Sequence, residues 1–489
     1  MIKAEEMGKK ITIEPVTRVE GHGKVTIHLD NEGNIHQTRL HIVEFRGFER
    51  FIQGRPYWEA PVLVQRLCGI CPVSHHLAAA KALDVIVGAG TGEGLTPTGE
   101  KMRRLMHYGQ IFQSHSLHFF HLASPDLLFG INGDPAIRNI IGVAMEHQDL
   151  AVQGVMMRKF GQEIIAATAG KKIHGTGAIP GGINKSLTQE EVDSFLKGDD
   201  PMNIDKMISW SQDALRFFKD YHKTHKNIID EFVDFPSNHL SLVRKDGALD
   251  LYHGVLRAVD REGKIILHDI DYQDYYKYIE EEVKSWSYMK FPFLKEFGKD
   301  NGWYTVGPLA RMNTAEFIDT PLAQKEFEKF KAYNKGKPSH KAMHMHWARL
   351  IEILHSAEKM KELLLDPDIQ NGEKVTKGNR IPEGVGVIEA PRGTLFHHYK
   401  VNSDDQIEMA NLIVSTTNNN QPMNNAVFQV ATNVMSGEHE ITEGMMNAVE
   451  VAIRAYDPCL SCATHALGQM PLEITMYDSD DRIIGRRLN

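Results

Sequence analysis

The stretch RLCGICPVSHH (Arg66–His76) sets two cysteines one helical turn apart and follows them with two histidines. The 489 residues hold only four cysteines, and the other two form a matching pair in DPCLSCATH (Asp457–His465). Four cysteines in a chain this long do not make a disulfide scaffold, whereas C-x-x-C pairs point to metal binding or redox work. A C-x-x-C pair presents two sulfurs on one side of a tight turn, so two pairs supply a four-sulfur site. The simplest occupant is a structural zinc. Zinc ribbons, however, space their pairs by roughly 15–20 residues, because the metal folds a small local unit. Here the pairs lie near opposite termini. A site that joins both ends of a large body reads as the purpose of the core rather than its staple. An iron–sulfur cubane and two unrelated thiol pairs fit the spacing as well.

Working outward, Met445, Ala448, Val449, Ala452, Ile453 and Tyr456 keep helical spacing up to Pro458, which cannot continue a helix. The second cysteine pair therefore starts a loop at a helix end. The first pair leads into helical sequence that runs from about Pro61 to Ala167, with long helices predicted over 100–123 and 136–167. The glycine-rich GTGAIPGGINKS ends this run. Helices are also predicted over TQEEVDSFL, MISWSQDALRFFKDYHKTHKNIIDEF and 339–365. The first 45 residues read as strands, KITIEPVT, GKVTIHLD and IHQTRLHIVEF, with NEGN (Asn31–Asn34) as a hairpin turn. Residues 238–309 look mixed, and strands are predicted in VGVIEAPRGTLFHHYKV after a turn-rich stretch. The one low-complexity patch is NNNQPMNN. The fold class that follows is mainly α with small β elements (α+β). A large helical body carries N-terminal strands and β edges, with the metal site between the two C-x-x-C loops.

Hydrophobic residues make up 42% and charged residues 24%, an ordinary globular composition. No apolar run approaches the roughly 20 residues of a membrane helix, and MIKAEEMGKKITIEP has no apolar signal core. A net charge of −9 without a basic tract argues against nucleic acid as the main partner. The expected location is the cytoplasm.

Five blocks in order make the sequence recognisable: RVEGHGKV (Arg18–Val25), EFRGFERF (Glu44–Phe51), RLCGICPVSHH, EAPRGTLFHH (Glu389–His398) and DPCLSCATHALGQMPL. Together they resemble the large subunit of nickel–iron hydrogenases, especially the soluble NAD(P)-linked type. The resemblance implies reversible heterolytic cleavage of H2 at a nickel–iron centre. Cys68, Cys71, Cys459 and Cys462 would bind nickel, and Cys71 and Cys462 would bridge to an iron carrying carbon monoxide and cyanide. Soft thiolates suit late transition metals and exclude magnesium or calcium. A coenzyme F420-reducing hydrogenase shares these motifs. A complex I-like quinone-site subunit shares the ancestry but lacks the cysteine pairs, and a zinc-stapled interaction protein would need only the cysteines.

By the same resemblance, Glu20 would be the proton gate beside a terminal nickel thiolate, since splitting H2 releases a proton that needs a base within hydrogen-bond reach. Taken alone, Glu20 would read as a surface or capping carboxylate. Arg392 would lie over the open metal position, where a permanently charged side chain with several fixed donors suits a cyanide. Pro391 and Thr416 would complete the pocket for the diatomic ligands, and Asp457 would anchor Arg392. His75, four residues past Cys71, would donate to a bridging sulfur. Glu49, a backbone carbonyl near Leu412, and His465 would hold a magnesium ion, which favours such oxygen donors. His115, His118, His121, His344 and His346 read as packing or proton-network residues. By the same resemblance, aligned through LHFFHL, many relatives carry an aspartate where this chain has Ser114, which changes the hydrogen-bond set expected around Arg392.

With all four cysteines committed, none remains for an electron relay. The chain is expected to pair with a flavin-bearing NAD(P) diaphorase module through an iron–sulfur small subunit. Residues 1–465 would form the catalytic domain and 466–489 a C-terminal extension that a maturation protease removes. The intact mass of the mature chain is expected to correspond to an end at His465; a mass that includes residues 466–489 would show that the tail is kept.

Overall fold

The computed structural model describes residues 10–45, 47–89, 94–438 and 440–464, together with the backbone of the strands Glu473–Tyr477 and Ile483–Leu488. Long helices pack around one another, as the hydrophobic periodicity predicts, with small sheets among them. Strands β1 (Lys10–Ile13), β2 (Gly23–Leu29) and β3 (Ile35–Ile42) form an antiparallel sheet in the order β1-β2-β3, with the Asn31–Asn34 turn between β2 and β3. Asp30 caps that turn by accepting from the backbone of Glu32 and Asn34 (2.9 and 2.8 Å).

Helix α1 (Pro72–Ile86) follows the first cysteine pair, with Cys71 at its N-cap and proline in its first turn. All 15 of its residues are buried, which requires partners for every polar group on it. Lys81 donates to the carbonyls of Tyr252 (2.5 Å) and Val387 (2.7 Å), and His76 Nδ1 bonds the Pro61 carbonyl at 2.7 Å. Asp84 takes both terminal nitrogens of Arg103 (2.5 and 3.0 Å). Helix α2 (Pro97–Leu117) packs along α3 (Gln148–Ala169), and α4 (Ile204–Thr224) and α5 (His344–Leu365) complete the body. Gly109 of α2 and Gly161 of α3 allow the closest approach. A Cβ on Gly109 would meet Ile164 at 2.7 Å, and one on Gly161 would meet the Gly109 carbonyl at 2.7 Å.

Two predicted helices are interrupted. The first passes at His118–Ala123 into a π-helical turn, a form that concentrates at functional positions. The second breaks at His147 (φ −134°, ψ 54°), which divides Ile140–Glu146 from α3. Neither break carries an internal proline or glycine, so periodicity alone runs through both. The polar NNNQPMNN patch (Asn418–Asn425) ends the short helix Ser415–Asn418 and opens helix α6 (Asn420–Met435), and its buried Asn420 and Asn424 bond backbone carbonyls. Helix α7 (Glu443–Ala455) packs on α6 and ends just before the second cysteine pair. Among the described residues, no helix is long and apolar enough to cross a membrane.

Strands β4 (Glu383–Ala390), β5 (Gly393–Val401) and β6 (Ile407–Ile413) form an antiparallel sheet buried on both faces. The two-residue period of a strand divides β4 cleanly. Val385 and Val387 join a core with Leu240, Leu242 and Leu256. Gly386, Ile388 and Ala390 face the other way, where Ile388 and Ala390 pack with the cysteines and α1 residues Leu77 and Ala78. A Cβ on Gly386 would press into the Ala78 carbonyl and reach the Ala82 amide at 2.5 Å. Gly386→Ala is expected to lower stability by about 1–3 kcal/mol through overpacking. The loss should appear as a lower midpoint in thermal unfolding, with reduced metal content because α1 carries Cys71.

Candidate metal centre

The chain brings its cysteines together by ending one helix and starting another at the same point. Cys68 follows the turn Val64–Leu67, and its sulfur accepts the backbone N–H groups of Ile70 (3.2 Å) and Cys71 (3.1 Å). At the other end of the chain, Asp457 takes φ 51°, a left-handed conformation that aspartate adopts more readily than most residues, and so terminates α7. Pro458 then directs Cys459 inward. Cys68 and Cys459 sulfurs lie 3.3 Å apart, Cys71 and Cys462 sulfurs 3.9 Å apart, and all four within 4.8 Å of one another. These separations are far beyond a disulfide bond, and all four thiols are free and buried.

The second loop is held by the N-terminal segment. Glu20 forms a parallel β-bridge with Cys459, and the Leu460 N–H donates to the Glu20 carbonyl at 2.9 Å. Gly21 (φ 83°) permits this approach, since a Cβ there would meet the Ser461 nitrogen at 2.6 Å. The Glu20 carboxylate accepts from the Cys459 thiol (3.0 Å) and from the Ser461 N–H (3.1 Å) through one oxygen. Ser461 Oγ lies 3.4 Å from Glu44, which pairs with the exposed His22 at 2.5 Å.

Beside the sulfurs is a small cavity of about 10 Å³, lined by Cys71, His75, Pro391, Arg392, Thr416 and Cys459 among others. Arg392 lies in the turn between β4 and β5. Its Nε donates to the Asp457 carbonyl (2.5 Å), one Nη to Asp457 Oδ1 (3.0 Å), and the other reaches toward Ser114 Oγ at 3.5 Å. The hydroxyl of Thr416 accepts the Cys459 N–H at 2.9 Å. His75, one turn after Cys71 on α1, joins His397 at 3.1 Å. Glu49 is buried on the short helix Phe48–Ile52, which packs against β6, the strand of Leu412. His465 lies outside the described residues.

Charge decides what this arrangement can hold. Burial opposes the guanidinium of Arg392, yet Asp457 and the sulfurs of Cys459 and Cys71 outweigh it and keep the group firmly protonated. Donation from Cys459, Cys462 and Cys68 pulls the Cys71 thiol well below its ordinary value, while burial pushes Cys459 and Cys462 well above theirs. Four thiolates cannot ionise together in a buried site without cations between them. Late transition metals suit these soft donors. A closed structural zinc site would need no arginine-capped cavity at its side. The residues therefore fit a thiolate-bound metal centre with a small enclosed space at one face.

Several supporting residues carry little signal in sequence. Arg311 is fully buried and joins Glu352 (2.6 Å through each of two nitrogens), Glu389 (2.8 Å) and the Ala390 carbonyl (3.0 Å), fixing the strand that leads to Arg392. Glu352 also accepts His115 at 2.8 Å. Glu352 within LIEIL and Glu389 within VGVIEA are carboxylates in apolar runs, and that was the available sign. Asn418 and Asn419 bond the carbonyl of Thr394 (2.9 Å) and the N–H of Val306 (2.9 Å), bracing the same turn. His118 Nε2 bonds the Arg454 carbonyl at 2.7 Å, and its ring stacks on His346. A second cluster, His222, Asp230 and His344, is a saturated carboxylate: Asp230 also accepts from Tyr333 (2.6 Å) and Lys341 (3.2 Å).

Comparison with known proteins agrees with this geometry. A model described as nickel-dependent hydrogenase matches residues 46–129 and 249–465, and one described as HoxL-like matches residues 10–45. The beta subunit of the NAD-reducing hydrogenase HoxS of Cupriavidus necator is 52% identical over 98% of this chain and all of its own length. In the F420-non-reducing hydrogenase of Methanothermobacter thermautotrophicus, one subunit is 40% identical over 98% of this chain and 99% of its own length. A crystal structure of an NAD+-reducing [NiFe]-hydrogenase in the H2-reduced state matches with a TM-score of 0.90 and 52% identity, covering 94% of this chain and 100% of the other.

Four buried histidines make an acid prediction. Burial holds His76, His115 and His355 down to about 4 and His107 to about 3, against an ordinary 6.5. Below pH 6.5 the unfolded chain binds protons that the folded chain refuses, so stability falls as pH falls. Urea unfolding midpoints are expected to show no contribution from these groups above pH 6.5 and to decline between pH 6.5 and about 4.

Proposed function

Since the chain belongs to the nickel-dependent hydrogenase family, we propose that it is the hydrogen-activating subunit of an NAD-linked enzyme that oxidises H2 and, in reverse, reduces protons. The observation that carries this reading is the arginine-capped cavity opening beside four converging, buried thiols. Cys68, Cys71, Cys459 and Cys462 would hold a nickel–iron centre, with carbon monoxide and cyanide among the ligands of its iron. When bound, the nickel–iron centre supplies the heterolytic splitting of H2.

This chain's residues position that chemistry and move the proton. Cys459 is the acceptor nearest a base, and Glu20 Oε2 at 3.0 Å can take the proton from its sulfur and release it outward. The backbone N–H of Ser461 on the same oxygen keeps the carboxylate aimed at Cys459. Arg392, Pro391 and Thr416 wall the cavity, and Asp457 fixes the guanidinium, whose remaining donors would suit a small anionic ligand. Glu49, a backbone carbonyl near Leu412 and His465 would hold a magnesium ion.

The electrons leave through other chains. All four cysteines belong to the site, so an iron–sulfur small subunit receives the electrons and a flavin-bearing NAD(P) diaphorase module passes them on. The assembly is cytoplasmic. Residues 1–465 act as the catalytic domain, and a maturation protease removes 466–489. An F420-reducing enzyme is not favoured: the relatives at 40–42% identity are named F420-non-reducing, and the relative at 52% is NAD-reducing.

Elemental analysis of the purified complex is expected to find nickel and iron on this chain, and infrared spectra to carry bands of metal-bound carbon monoxide and cyanide; zinc alone would refute the reading. Glu20→Gln should keep the metals and cut H2 turnover and hydrogen–deuterium exchange by about 10²–10⁴-fold, the usual weight of a positioned acid–base group. Undiminished exchange would remove Glu20 from the proton route.

A further inference from the structure

Strand β5 presents a row of side chains to the metal side, as its two-residue period requires. Leu395 lines the cavity, and His397 and Tyr399 follow on the same face, about 6.7 Å apart along the strand at each step. The rings are joined end to end. His75 Nδ1 meets His397 Nε2 at 3.1 Å, and His397 Nδ1 meets the Tyr399 hydroxyl at 2.6 Å. All three residues are buried, with His397 and Tyr399 at 0% exposure, so water does not compete for these bonds. The other end of the chain is Cys71, one turn before His75 on α1, and both line the cavity.

A neutral imidazole donates through one nitrogen and accepts through the other, so the direction of one bond sets the next. A thiolate held by metals can only accept. The His75 side chain hydrogen-bonds the Cys71 sulfur, and since its Nδ1 faces His397, it offers Nε2–H to Cys71, which leaves Nδ1 as an acceptor. His397 must donate through Nε2–H, which leaves its Nδ1 to accept, and only the Tyr399 O–H can fill that place. Burial keeps the Tyr399 phenol protonated and able to donate.

We propose that His397 and Tyr399 are positioning residues, a buried two-member chain that fixes the tautomer of His75 and thereby holds its N–H on the bridging sulfur of Cys71. This rests on the reading of Cys71 as a metal-bound thiolate. A hydrogen bond to a thiolate withdraws electron density from it, so its loss makes the sulfur a stronger donor to the metals it bridges. More density on iron weakens a bound carbon monoxide.

The test uses the complete complex and reads metal content together with the infrared position of the carbon monoxide band. Tyr399→Phe keeps the ring and removes only the hydroxyl. It is expected to retain nickel and iron and to move the band to lower frequency. His397→Leu should give a shift of the same sign. His397→Gln retains an amide N–H where Nε2–H stood, so its band should stay near the wild-type position, and adding Tyr399→Phe to it should cause no further shift. A Tyr399→Phe protein with full metal content and an unmoved band would overturn the proposal. So would a Tyr399→Phe shift that persists in the His397→Gln background, because the tyrosine would then act by another route. Absence of these bands from the wild-type complex would instead strike the hydrogenase reading itself, and the inference with it.

Discussion

Four sulfurs share a space less than 5 Å across that water does not reach. Nothing in an ordinary protein interior tolerates that much latent negative charge, and the rest of the structure can be understood as what surrounds and compensates it. Arg392 supplies fixed positive charge, Asp457 and Asp84 supply anchors for buried guanidinium groups, and backbone N–H groups aim at the Cys68 sulfur. Metals complete the neutralisation. A buried charge is strongly unfavourable when alone and acceptable when fully partnered, which explains why the polar groups here come in closed sets rather than singly.

The supporting framework has two layers. Helix α1 and strand β4 pack backbone to backbone through Gly386, so the loop that begins with Cys68 and the turn that carries Arg392 cannot move independently. Behind them, Arg311 binds Glu352 and Glu389 and ties α5 to β4. This buried ion network contributes little net stability by itself, because desolvation offsets most of the attraction. Its contribution is geometric: Arg311 also holds the Ala390 carbonyl, which fixes the chain two residues before Arg392.

Much of this was legible in the residues. The alternation in GKVTIHLD and the helical spacing from Met445 to Tyr456 report directly on burial, and both elements form where they are predicted. The cysteine pairs, with Glu20 and Arg392 in their motifs, identify the site because few chemistries use that set. What was hidden depends on partners distant in sequence. The break at His147 and the π-helical turn at His118 leave the apolar period intact, so no local pattern marks them. The asparagines of NNNQPMNN look like solvent-facing residues by composition, yet Asn420 bonds the carbonyls of Met289 and Lys290 (3.0 Å each) in the interior. A buried asparagine is indistinguishable from an exposed one until its acceptors are known. Arg311 was unreadable for the same reason.

The segment from Tyr456 to Thr464 is buried along its whole length and is held in place by the Glu20 bridge and by Thr416. It behaves as a stopper in the neck of a flask. To open, this stretch must break the β-bridge and expose a run of apolar surface, so an ion held beneath it would leave only when the stretch detaches.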